Sequence, residues 1–154
     1  MFSKTRRSGA AFVMLVAAVT ACNSPADTDE SHIVPVGLVI LQNGTEIVAG
    51  TSASVTGAIT ATGLQTQPLT VQFLNIQGQP IDPGVEYHLD VQSANSNTAT
   101  WEPDQAGAFT GRVAIRATGT TTLRFRWMHG PVGSGHADLM VSVPVNVTLS
   151  QDPD

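Results

Sequence analysis

Residues 123–147, LRFRWMHGPVGSGHADLMVSVPVNV, alternate apolar and polar side chains on both sides of a glycine-rich loop. A period of two sends successive side chains to opposite faces of an extended chain, whereas a helix would repeat its apolar positions every three to four residues. Leu123, Phe125 and Trp127 alternate with Arg124, Arg126 and Met128. After the loop, Leu139, Val141, Val143, Val145 and Val147 alternate with Met140, Ser142, Pro144 and Asn146. Two strands with one apolar and one mostly polar face each suit an antiparallel sheet half-buried against a second sheet. Pro144 has no amide to donate, so the second strand is expected to lie at an edge or to be bulged there.

The preceding chain carries the same kind of signal. Residues 34–41 are rich in Val, Ile and Leu, and Asn43-Gly44 is a two-residue hairpin signal with a returning strand at 45–49. Strands are also expected at 54–61, which is Thr-rich, and at 69–76. Gly78, Pro80 and Asp82-Pro83-Gly84 then force a turn. In 85–92, Val85, Tyr87, Leu89 and Val91 share one face, and Glu86, His88 and Asp90 the other. Residues 94–100 read as a loop, 109–117 as a strand, and Thr118-Gly119-Thr120 as the turn leading into 123–127. Several short strands with turn signals between them predict an all-β sandwich over residues 33–150, followed by a tail at 151–154.

The first residues do not belong to that sandwich. Lys4, Arg6 and Arg7 precede an apolar run at 10–21, shorter than the about 20 residues needed to span a bilayer. The run ends in Val19-Thr20-Ala21-Cys22, which resembles the lipobox of bacterial lipoprotein signal peptides. The resemblance implies cleavage after residue 21, diacylation of Cys22, a membrane anchor and a polar tether at 22–32. Two or more acyl chains anchor stably, at about 0.8 kcal/mol per buried methylene, where one does not. By the same resemblance, Asn23 after the cysteine favours the outer membrane or cell surface. Cys22 is the only cysteine, so no disulfide staples the domain, whatever the redox state of its compartment.

Without residues 1–21, four arginines face twelve acids and no lysine remains, a formal charge of −8. Phosphate backbones would repel such a surface, so nucleic acid is excluded as the expected partner.

Ala99-Thr100-Trp101, Ala106-Gly107-Ala108-Phe109-Thr110-Gly111 and Ala117-Thr118-Gly119-Thr120-Thr121-Thr122-Leu123 together resemble bacterial immunoglobulin-like domains, over residues 66–128. The resemblance implies an immunoglobulin-like sandwich with a structural or adhesive role and no catalytic residues. The chain departs from that pattern by placing a histidine-bounded loop where a plain strand would run on.

His129 and His136 flank the loop at 130–135. If the flanking strands pair, residues at the loop base lie opposite one another, with Cβ atoms about 4.5–5.5 Å apart. Two imidazoles there suit a transition metal such as zinc or copper, with Asp138 and His88 as further ligands and Glu86 and Asp90 orienting His88. Met128 and Met140 would suit Cu(I). Parity opposes this set, because His136 and Asp138 fall with the polar face and His129 with Trp127, unless a bulge intervenes. The competing readings are a loop bounded by two solvated histidines and a peptide or glycan contact. Arg112, Arg116, Arg124 and Arg126 fall on the outward parity of two strands expected to be neighbours. They form either a patch for an acidic envelope partner or ion pairs with Glu86, Asp90 and Asp138. Trp101 and Trp127 read as core residues. The chain has no G-x-S-x-G and no cysteine beyond Cys22, so it reads as a binding or structural module of the envelope and not as an enzyme.

Overall fold

The computed structural model describes residues 34–149. The expected signal segment, Cys22, the expected tether with His32, and the tail lie outside the described residues. Ten strands follow in order: β1 (Gly37–Gln42), β2 (Thr45–Gly50), β3 (Val55–Gly57), β4 (Ile59–Ala61), β5 (Leu69–Leu74), β6 (Tyr87–Ser93), β7 (Ala99–Pro103), β8 (Thr110–Ile115), β9 (Gly119–His129) and β10 (His136–Val147). They form a six-stranded sheet, β3-β2-β1-β5-β8-β7, and a four-stranded sheet, β4-β10-β9-β6. Every pairing is antiparallel except that of β10 with β4. The chain is therefore an all-β sandwich, as its alternation predicts.

Alternation explains the core. On β5 the burial runs in strict alternation, with Leu69, Val71 and Phe73 inward. Leu123, Phe125 and Trp127 of β9, and Val141, Val143 and Val145 of β10, face them from the other sheet with no exposed surface. Trp127 is the centre of an aromatic cluster. Its ring lies 5.0 Å from Phe73, 4.8 Å from Tyr87 and 5.4 Å from Phe109. Trp101 is half-buried at the flank, edge-on to Phe125 at 5.6 Å.

The hairpin at Asn43-Gly44 forms as expected, with both residues at positive φ, 51° and 77°. Pro144 sits just before the β4 ladder begins at Val145, so β10 has a neighbour on one side only at that point. The bulge on β10 lies elsewhere, between Ala137 and Leu139.

Other expectations are corrected. Residues 54–61 are not one strand but two, β3 and β4, in different sheets. The break falls at Gly57, at φ +84°, where a Cβ would stand 2.1 Å from the Ile47 carbonyl oxygen. Only glycine fits that crossing. Residues 94–100 are a loop only as far as Thr98, and Ala99 opens edge strand β7. Val85 does not join the inward face of β6 but is fully exposed ahead of it. Finally, β8 and β9 are not neighbours, because the chain between them passes from one sheet to the other.

Candidate binding end and histidine cluster

The site is built on the last rungs of the β9–β10 ladder. His129 pairs with His136, Ala137 with Met128, and Leu139 with Trp127, leaving Asp138 as the extra residue of a bulge. An odd residue inserted between Leu139 and His136 reverses parity, so His136 shares a face with His129 despite its even number. The bulge thereby removes the conflict that strand parity alone creates. On the other side of β9, Tyr87 is the register partner of His129. Tyr87, His129 and His136 form one row across three strands. Tyr87 stacks on His129 at 4.9 Å, and His129 meets His136 edge-on at 5.4 Å.

Asp138 completes the group. Its Oδ1 lies 3.0 Å from His136 Nε2, with its side chain only 9 % exposed against 63 % for His136. The ligand atoms of His129, His136 and Asp138 all lie within 4.8 Å of one another. The loop closes tightly beneath them. A Cβ on Gly135, which sits at φ +97°, would come within 2.1 Å of the His129 carbonyl oxygen.

His88 stands apart from this group. It pairs with Met128 and alternates with Tyr87 and Leu89, so it lies on the opposite face of the sheet. Only 6 % of it is exposed, and its Nδ1 has no hydrogen-bond partner among the described residues. With Asp90, Arg126, Met128, Gly133, Ser134 and Gly135 it lines a cavity of about 230 Å³. Asp90 does not orient His88. It accepts Arg126 Nε at 2.7 Å and pairs with the same guanidinium through Nη2. Glu86 contributes its carbonyl to the amide of Gly130. Met128 and Met140 share the outer face, away from His129 and His136.

The arginines do not form one patch. Arg112 follows the outward parity of β8 in the six-stranded sheet, opposite Glu102, with Arg116 exposed just beyond that strand. Arg124 and Arg126 are on β9 in the other sheet. Their outward faces are opposite sides of the sandwich.

One feature was not legible in the sequence. Three loops converge at the His129 end around a cleft of about 540 Å³, lined by Pro83, Val85, Tyr87, Phe109, Pro131 and Val132 among others. Val85 and Val132 are exposed at its rim. The one signal that could have found it is the placing of Val85 and Val132 within Gly- and Pro-rich turns.

The paired sheets, their register and this loop-bearing end define an all-β sandwich with a candidate binding end. No family model matches the chain, and no curated protein matches it. Among solved structures it is similar to the S-layer protein SbsC, domains 4 and 5, at 23 % identity and a TM-score of 0.42, covering 74 % of this chain and 53 % of that one. It is also similar to surface layer protein SbsC, domains 1–6, at 20 % identity and TM-score 0.46, and domains 4–9, at 22 % and 0.46. The chain spans about half of the first structure, and 14 % and 15 % of the other two.

Proposed function

We propose that this chain is an exported, lipid-anchored module of the cell envelope, an immunoglobulin-like sandwich that presents its loop-bearing end to a protein partner and carries out no catalysis. The observation that carries the reading is the cleft between the loops, rimmed by exposed Val85 and Val132. A scaffold held by a continuous core displays such loops rigidly, and binding residues concentrate on loops so held. Exposed Val85, Val132 and Pro131 suit an apolar side chain of a protein better than a glycan. Cys22, by its resemblance to a lipobox cysteine, would tie the module to a membrane through its acyl chains.

Two experiments test the two halves. Cys22→Ser should move the protein from the membrane fraction to the soluble fraction, and an unchanged distribution contradicts the anchor. A photo-crosslinker placed at position 85 or 132 in living cells should give a defined protein adduct that the same crosslinker at position 112 does not. Adducts absent at 85 and 132, or glycan adducts in their place, contradict the protein-docking reading.

A further inference from the structure

We propose that His129, His136 and Asp138 form a three-ligand site for a divalent transition-metal ion of borderline softness, such as zinc, at the base of the β9–β10 loop. This does not rest on the docking reading, since none of its three ligands lines the cleft.

The geometry is the first argument. Two strands and one bulge deliver three ligand atoms with no pair more than 4.8 Å apart. Tetrahedral bonds of about 2.1 Å place neighbouring donors about 3.4 Å apart. His136 Nε2 and Asp138 Oδ1, at 3.0 Å, are already near that spacing. The widest separation, 4.8 Å, needs a closure of about 1.4 Å to reach that spacing, by rotation of side chains of which His136 is 63 % exposed. His129 is held from behind by the stacked ring of Tyr87, which fixes its plane. A ligand clamped by packing loses less freedom on binding.

The donor set is the second argument. Two imidazoles and one carboxylate suit Zn²⁺, Cu²⁺ or Ni²⁺ and do not suit Ca²⁺ or Mg²⁺, which take oxygen ligands. Cu(I) would call for the thioethers, but Met128 and Met140 are on the opposite face of the sheet. His88 is on that opposite face as well, so the site has three protein ligands instead of four. A three-ligand zinc site leaves a coordination position for water or for a donor from outside the chain. The alternative is that His136 and Asp138 form only a polar pair, with His129 merely adjacent. That alternative predicts no metal affinity.

The test uses the full chain, untagged, in detergent and stripped with a chelator, titrated with Zn²⁺ and with Co²⁺ as an optical reporter. One equivalent should bind, and Co²⁺ should develop a visible band of reduced coordination symmetry. His129→Ala, His136→Ala and Asp138→Asn should each weaken binding by more than about 100-fold, beyond the 10–100-fold typical of residues that only support a ligand. His88→Ala should leave binding intact. Asp138→Asn keeps the side-chain shape, so a lost Co²⁺ band with an unchanged thermal melt separates ligation from folding. Absence of stoichiometric binding overturns the proposal. So does binding that survives His136→Ala and Asp138→Asn, or binding that depends on His88.

Discussion

His129 and His136 face one another across the final rung of the β9–β10 ladder, and Asp138, the extra residue of the adjacent bulge, is what brings them to the same face. Without that insertion, the parity running down β10 from Leu139 would send His136 to the outer face. A single irregularity in an otherwise regular hairpin thus decides whether three potential ligands can meet.

The loop base can be tested through Gly135. Its positive φ and the His129 carbonyl oxygen, 2.1 Å from where a Cβ would stand, leave no room for a side chain. Gly135→Ala should cost about 1–3 kcal/mol, the range for backbone forced out of its preferred conformation. Thermal unfolding measures the cost, and a melt within a degree of the parent contradicts the tight closure.

Trp127 should be the most costly core residue to truncate. It is fully buried and contacts three other aromatic rings. Trp127→Ala is expected to lose about 3–5 kcal/mol in denaturant unfolding. A loss below about 1 kcal/mol would mean that the two sheets do not pack as described.

The Asp90–Arg126 pair should contribute little. Both side chains are partly exposed, at 38 % and 26 %, so solvent screens their attraction. A double-mutant cycle with Asp90→Ala and Arg126→Ala should give a coupling of about 0.2–1 kcal/mol that shrinks with added salt. A larger coupling that resists salt would contradict an exposed pair.

Val85 and Val132 should matter for binding and not for folding. Val85→Asp with Val132→Asp should shift stability by less than about 0.5 kcal/mol each, while abolishing the adduct formed by a crosslinker at Pro131. Retained crosslinking would remove the loop end as the docking surface.

The alternation of Leu123–Trp127 and Leu139–Val147 is a local property, so the sequence makes both strands and their inward faces legible. Sheet membership is not local. Outward parity places Arg112 and Arg124 correctly within their own strands, yet they lie on opposite sides of the sandwich because β8 and β9 pair with different partners. The same limit hid the crossing at Gly57 and left His88 grouped with histidines that lie across the sheet from it. Strand β7 is not legible in the sequence because Glu102 and Pro103 follow Trp101 in a short, polar edge. Parity could flag the conflict at His129 and His136, but only pairing shows that the bulge at Asp138 resolves it.

X-ray absorption at the zinc edge of the metal-loaded full chain tests most directly whether these three side chains converge on one ion. The account predicts nitrogen and oxygen neighbours at about 2.0–2.2 Å, with outer-shell scattering from two imidazoles and no sulfur. A sulfur neighbour, or an all-oxygen shell without imidazole scattering, would contradict it.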